Sequence, residues 1–291
     1  MSETASQTPL ACEELYRLLD IEEIDRDLYR GQNPWPTARR FLYGGHVAAQ
    51  AVQAASRTVE PGRLPHSLHG YFLRPGQIDK PTILRVERDR DGGSFSSRHV
   101  VALQDGEVIL SLTVSFHRPS DGLEWEADPA HAMSDPERLY PANPQGVFGE
   151  WAGVFDFRLA APDSDMPVDY WTTPVPMPTS IWCRAKASPG DDPILSACLL
   201  TYVTDLSSGF GELGLPIVPP SGGPSLDHTV WIHRPIDTGS WFLLDLAPVI
   251  VTGGRGLYQG VVYDGRGRRC ATISQEMLAR SSQPSHPGPV K

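Results

Sequence analysis

The spacing of apolar positions predicts a few helices set among many strands. Cys12 to Leu19 places Leu15, Leu18 and Leu19 on one side and Glu13, Glu14 and Arg17 on the other, the period of a short amphipathic helix. Ile24 to Tyr29 reads as a strand, and the Gly31-Gln-Asn-Pro-Trp-Pro36 loop follows it. After Gly44-Gly45, the run His46 to Thr58 is rich in alanine. Its Val47, Ala51, Ala54 and Ala55 form a stripe of small residues that a sheet can approach closely, and Pro61-Gly62 ends it. Leu68 to Leu73, Thr82 to Arg88, Ser94 to Gln104 and Glu107 to His117 then read as strands. They are joined by Arg74-Pro-Gly76, Arg90-Asp-Gly-Gly93 and the hairpin signal Gln104-Asp-Gly106. One helix followed by an antiparallel meander predicts an α+β unit with a curved sheet around the helix.

The pattern recurs further on. Ser225-Leu-Asp-His-Thr-Val-Trp-Ile-His-Arg-Pro235 echoes Ser67-Leu-His-Gly-Tyr-Phe-Leu-Arg-Pro75. Setting Arg74-Pro75 on Arg234-Pro235 brings Tyr71 onto Trp231 and the strand Thr82 to Val86 onto Phe242 to Leu246. With one residue of slip, Gly92-Gly93 falls on Gly253-Gly254, and the Asp-Gly turn of the first half falls near Asp264-Gly-Arg-Gly267. Matches in the same order, strand on strand and turn on turn, indicate a duplicated unit. The second copy opens with strands Phe155 to Arg158 and Ser180 to Ala185, separated by a proline-rich loop from Asp163 to Pro178. Its helix, Ile194 to Leu206, starts behind Asp191-Asp-Pro193, acidic groups and proline where a helix N-terminus favours them. A Gly/Pro-rich loop, Gly209 to Pro224, precedes strands from Leu226 to Met277. The expected division is a first unit over 10–120, a linker over 121–150, a second unit over 151–282 and a tail over 283–291.

Composition narrows the function classes. A chain of 291 residues with 40% hydrophobic residues accommodates two such units. The net charge of −10 argues against a nucleic-acid partner, whose phosphates recruit faces rich in Lys and Arg. Cys12, Cys183, Cys198 and Cys270 are widely spaced, with no Cys-x-x-Cys pair, so neither a disulfide scaffold nor a zinc site is expected. No segment has the length of an apolar membrane span, the N-terminus has no leader pattern, and Pro-Val-Lys at the C-terminus is not a peroxisomal address. The expected location is cytoplasmic.

Copies share what folding needs, so polar residues found in one copy only are candidates for chemistry. Asp205 lies within the apolar run Leu199-Leu-Thr-Tyr-Val-Thr-Asp-Leu206, on the helix face of Cys198 and Tyr202, and the first helix has no carboxylate in its body. Gln275 falls where the first copy has Val114, and Ser225 stands just before the duplicated strand. Taken singly, each has a plainer reading: an aspartate late in a helix is usually at the surface, a strand glutamine is usually exposed, and a serine before a strand is usually a turn residue. His228 and His233 have a strand spacing that puts them on opposite faces, which argues against a metal pair. Arg255, Arg268 and Arg269 read most simply as solvated charges at the meander edge.

Taken in order, the motifs resemble the acyl-CoA thioesterase II family, the TesB-like double-hotdog enzymes. Tyr29-Arg-Gly-Gln32, Tyr43-Gly-Gly45, His66-Ser-Leu-His-Gly-Tyr-Phe-Leu-Arg-Pro-Gly76, Asp91-Gly-Gly-Ser-Phe-Ser-Ser-Arg98, Tyr202-Val-Thr-Asp205, Ser225-Leu-Asp-His228 and Ser274-Gln-Glu276 all look like its signatures. The resemblance implies a double hotdog fold, a fatty acyl-CoA substrate, no cofactor, and a homo-oligomer. It also implies that Asp205, Ser225 and Gln275 jointly hold a hydrolytic water. An oxyanion site at the Gly44-Gly45 amides and phosphate contacts from Arg255, Arg268 or Arg269 are further expectations. The chain departs from the family at His46, where glutamine is usual. Three rivals stand beside this reading: a serine hydrolase, for which no Gly-x-Ser-x-Gly elbow exists, a hotdog enoyl-CoA hydratase or dehydratase, and a non-catalytic acyl-CoA binding protein.

Overall fold

A computed structural model of the chain describes residues 10–34, 41–127, 133–144, 148–149, 151–159, 179–206, 210, 217–218 and 223–281. The N-terminal lead, the Asp163 to Pro178 loop, most of the Gly209 to Pro224 loop and the tail lie outside the described residues.

In the first half, α1 (Cys12–Leu19) leads into β1 (Glu22–Asp25) and β2 (Leu28–Gly31), then α2 (Gly44–Ser56) and the meander β3 (Leu64–Phe72), β4 (Thr82–Asp91), β5 (Phe95–Gln104) and β6 (Glu107–His117). The second half has β7 (Tyr140–Pro141), β8 (Phe155–Leu159) and β9 (Ser180–Ala185), then α3 (Pro193–Thr204) and β10 (Ile217–Val218). Its meander is β11 (Asp227–Ile232), β12 (Phe242–Thr252), β13 (Arg255–Asp264) and β14 (Arg269–Leu278), and β15 (Arg280–Ser281) pairs with β10. The other strands form one sheet, in the order β1-β2-β4-β5-β6-β3-β11-β14-β13-β12-β9-β8-β7. The halves join where β3 and β11 pair antiparallel, with Leu68 opposite Val230. Each half therefore presents equivalent strands outward from that central pair, with β7 added at the far edge of the second, and no helix among the described residues is long and apolar enough to cross a membrane.

Burial explains the two helix compositions. In α2 every residue from Gly45 to Val52 is buried, so alanine is needed to let strands and the second helix approach. In α3 every residue from Ser196 to Thr204 is buried, and leucine and valine supply the apolar surface on all sides. The predicted start of α3 is in place: the Asp192 carboxylate accepts from the Ile194 and Leu195 amides at 2.9 and 3.0 Å, with Pro193 in the first turn. The helices run antiparallel, since Tyr43 Oη donates to the Tyr202 carbonyl at 2.7 Å while Cys198 Sγ reaches Gln53 Oε1 at 3.5 Å. That direction brings the start of α2 to the end of α3.

Two expectations change. The strand read over Ile24 to Tyr29 is a hairpin, β1 and β2, that reverses at Asp27 with φ 59°. Aspartate tolerates this left-handed conformation, and its carboxylate is held by Arg88 at 2.7 Å. Helix α3 stops at Thr204 and leaves Asp205 as its C-cap, so the carboxylate is not in a helical turn. Within the segment read as a linker, Tyr140–Pro141 adds a short strand to the sheet edge beside β8, and Arg234 holds Glu126 at 2.6 Å.

Candidate active site

The C-cap geometry of Asp205 turns its side chain into the gap between the two helix ends and the inner face of β11 and β14. The residue is 3% exposed, and the Gln275 side chain facing it is fully buried. Ser225 Oγ donates to Asp205 Oδ1 at 2.8 Å, Gln275 Nε2 donates to the same oxygen at 2.8 Å, and Gln275 Nε2 also donates to Ser225 Oγ at 2.6 Å. The three candidates thus form one closed hydrogen-bonded cluster. The surface aspartate and exposed glutamine that each residue suggests alone are not what the fold contains.

The start of α2 completes the surroundings of the carboxylate. That helix has no side-chain cap, and the Gly45 N–H donates instead to Asp205. A negative group is unfavourable at the C-terminal end of its own helix and favourable at the N-terminal end of the other, so the antiparallel packing offsets part of its burial. A β-carbon at Gly44 would lie 2.6 Å from Asp205 Oδ2 and 2.8 Å from the Phe72 ring; one at Gly45 would overlap the Tyr202 carbonyl. Glycine at both positions is what permits this approach. With Gly45 engaged by the carboxylate, the pair is not the free double-amide donor expected for an oxyanion.

Burial pushes the Asp205 carboxyl above its ordinary range, against the opposing pull of His228, Ser225, Gln275 and the Gly45 amide. Burial likewise pushes the His228 imidazole down, opposed by Asp205 and Gln275. His228 is a residue that sequence reasoning passed over: it is fully enclosed, with Nδ1 2.5 Å from Gln275 Oε1 and Nε2 2.9 Å from Thr204 Oγ1. His233 lies at the end of β11, bonded to Thr272 Oγ1 at 2.8 Å, well separated from this cluster by the strand.

The duplicate unit gives the comparison that isolates the chemistry. Ser225 bridges Met277, and its equivalent Pro65 pairs with Phe116. The register Thr229 to Ser274 sets His228 across from Gln275, and the equivalent pair in the first unit is Leu68 and Val114, both buried. Tyr258 lies beside Gln275 where Arg98 lies beside Val114. The Arg98 guanidinium closes the end of α2, donating to the Thr58 hydroxyl at 2.7 Å, the Thr58 carbonyl at 3.0 Å and Asp91 at 2.6 Å. One unit thus has a carboxylate at its helix end and the other a cation. The signal for His228 was available in this alignment, because Leu68 stands opposite it.

Of the three arginines considered for phosphate, Arg255 pairs with Glu276 at 2.8 Å, Arg268 pairs with Asp264 at 2.8 Å, and Arg269 lies over the Tyr263 ring at 5.8 Å. His46, the departure from the family pattern, is buried; its Nε2 donates to the Gln32 carbonyl at 3.3 Å, and burial lowers its pKa to about 4. It is a neutral core group on α2.

Comparison with known proteins identifies the family. Residues 32–117 match the model of the acyl-CoA thioesterase N-terminal domain, and residues 128–279 match that of the C-terminal domain. Acyl-CoA thioesterase 2 of Haemophilus influenzae is 30% identical over 92% of this chain and 98% of its own length. The crystal structure of the acyl-CoA thioesterase II TesB2 from Mycobacterium marinum superposes with a TM-score of 0.73 at 33% identity, covering 93% of this chain and 99% of that one. A hot dog fold protein from Alicyclobacillus acidocaldarius, 17% identical with a TM-score of 0.72 over 92% of this chain and 98% of its own, shares the fold. With both domain models matched and a relative aligned along nearly its whole length, the chain is a double hotdog that belongs to the TesB-like acyl-CoA thioesterase II family.

Proposed function

We propose that this chain hydrolyses a fatty acyl-CoA to the free fatty acid and coenzyme A, using a water held by Asp205, Ser225 and Gln275. The observation that carries this reading is the closed cluster of Asp205, Ser225 and Gln275 in the second unit, where the first unit has Pro65 and Val114 at the positions of the serine and glutamine. A water entering the cluster displaces one of these bonds, accepts from the freed Ser225 hydroxyl or Gln275 amide and donates to Asp205. The water oxygen attacks the thioester carbonyl as its proton passes to the carboxylate, the oxyanion collapses, and the departing thiolate takes that proton back. A carboxyl raised above its ordinary range is better matched to removing a proton from water than an exposed aspartate. Of the two glycines at the start of α2, Gly44 is the one whose amide is assigned to the oxyanion, because Gly45 serves Asp205. Phe72, which crowds Gly44, and Tyr43, packed edge-on against Tyr202 at 5.0 Å, offer apolar surface beside the cluster for the acyl chain.

Release of free thiol from a panel of short, medium and long acyl-CoAs tests the reading. Turnover by the unaltered chain and loss of at least ~10²-fold in Asp205→Asn are expected. Thiol release unchanged in that variant rejects the assignment of Asp205, and conversion of an enoyl-CoA without thiol release establishes the hydratase rival. Beyond substrate, we infer that the partner is a second copy of this chain, supported by Tyr71 and Trp231, which stand exposed on the paired strands β3 and β11. A monomer in sedimentation would reject this. Four free, buried cysteines support a reducing, cytoplasmic location, which fractionation checks.

A further inference from the structure

Behind the proposed water site lies a buried chain of hydrogen bonds that ends on it: Thr204, His228, Gln275, Asp205. We propose that His228 is a positioning residue for the hydrolysis, fixing through its Nδ1–H which end of the Gln275 amide faces Asp205 and Ser225, with Thr204 as the partner of its Nε2. The inference rests on the water-site reading above.

A glutamine side chain has a donor end and an acceptor end of nearly the same shape, so its partners decide its orientation. One end of Gln275 meets Asp205 Oδ1 at 2.8 Å and Ser225 Oγ at 2.6 Å; among the described residues the other meets only His228 Nδ1. Since a carboxylate oxygen can only accept, the NH₂ end must face Asp205, and the carbonyl Oε1 then needs a donor from His228. An imidazole carrying its proton on Nε2 would present a bare Nδ1 and draw the NH₂ toward itself, turning Oε1 against the carboxylate. The Nδ1–H tautomer removes that alternative. Thr204 is compatible with it: with the proton on Nδ1, the bare Nε2 accepts from the Thr204 hydroxyl 2.9 Å away. The competing acceptor for that hydroxyl, the Thr201 carbonyl, is longer at 3.3 Å. Thr204, His228 and Gln275 are all buried, so solvent does not rescue a misdirected amide.

The first unit separates this role from a structural one. There the same inward positions hold Leu68 and Val114, which close the sheet against its helix without any polar group. Folding of such a unit does not require the histidine and glutamine, whereas burying both is unfavourable unless every polar end is paired. Their presence beside Asp205 is therefore accounted for by what they do to the carboxylate and its water. Thr204 immediately precedes Asp205 at the end of α3, so one helix terminus supplies both the base and the hydroxyl at the far end of the relay.

The test compares His228→Leu, which copies the first unit, with His228→Asn, whose side-chain N–H can replace Nδ1–H, each alone and with Gln275→Leu. Thiol release from an acyl-CoA is measured for kcat and KM separately. The expected result is a fall in kcat of ~10- to 100-fold in His228→Leu with KM changed less than about threefold, substantial recovery in His228→Asn, and less than about threefold further loss when His228→Leu is added to Gln275→Leu. Multiplying losses in the double variant, an asparagine variant as impaired as the leucine one, or normal turnover in His228→Leu would each overturn the role. If Gln275→Leu alone turns over normally, the water-site reading fails and the relay with it; if Gln275→Leu is impaired and His228→Leu is not, only the relay fails. Two-bond ¹H–¹⁵N correlations on the unaltered, ¹⁵N-histidine-labelled protein need no folded variant. They should show His228 with its proton on Nδ1 at neutral pH, and a proton on Nε2 would refute the proposal.

Discussion

Replacing Asp205 by asparagine should remove activity and raise stability together. The asparagine carbonyl can keep the bonds from Ser225 and Gln275 to the Oδ1 position, both 2.8 Å, while the charge is lost. Donors to a charged group stabilise it by about 1.5–3 kcal/mol each, and taking an ion out of water costs several kcal/mol. The raised carboxyl pKa says that here burial outweighs the donors. The sign follows: with the folded pKa above the unfolded one, the contribution of Asp205 is fully present below the unfolded value and is lost as pH rises through the folded value. Each unit of separation amounts to about 1.4 kcal/mol, or roughly 2–4 °C in Tm for a chain of this size class. Melting curves of both forms from pH 3.5 to 8 should nearly coincide at the acid end and separate with rising pH, the variant higher. Activity runs the other way, because removing a general base costs about 10²–10⁴-fold, or about 3–5 kcal/mol of transition-state stabilisation. An asparagine variant that melts below the unaltered protein at pH 8 would refute the reasoning about burial.

Other consequences follow from neighbouring contacts. Gly44→Ala drives a β-carbon against Asp205 Oδ2 and Phe72, so thiol release should drop by ~10-fold or more and stability by about 1–3 kcal/mol, read by assay and melting. Arg98→Met unties the end of α2 in the first unit and should cost about 2–3 kcal/mol in denaturant unfolding, less than a fully enclosed pair because Asp91 is half exposed. Its kcat should be unchanged, since Arg98 lies in the unit without the carboxylate. The acid limb of kcat against pH should fall off at a higher pH than an ordinary aspartate gives, because Asp205 must be ionised to accept a proton and burial raises its pKa.

Local rules made much of this fold legible. Asp192 and Pro193 announce the start of α3, the Asp-Gly turn at Asp105-Gly106 joins β5 to β6, and the echo of Ser67 to Pro75 in Ser225 to Pro235 foretells two equivalent units. Asp205 and Gln275 were visible only against their counterparts, since propensity alone sends both to the surface. The hairpin at Asp27 was hidden because Asp-Arg-Asp is one of many polar interruptions a strand can carry. The spacing of His228 from His233 speaks only to metal ligation, and says nothing of its partners on β14 and α3. The Gly45 bond to Asp205 depends on the antiparallel packing of two helices far apart in sequence, and no local pattern encodes that.

The central claim is that water itself attacks the thioester, with Asp205 acting as base. A single turnover in H₂¹⁸O, with enzyme in excess over acyl-CoA and mass analysis of the released fatty acid, tests it most directly. One ¹⁸O in the product of the first turnover is the predicted result. A first-turnover product without ¹⁸O, with the label appearing in the Asp205 carboxyl instead, would mean that the aspartate attacks the carbonyl and would contradict the account.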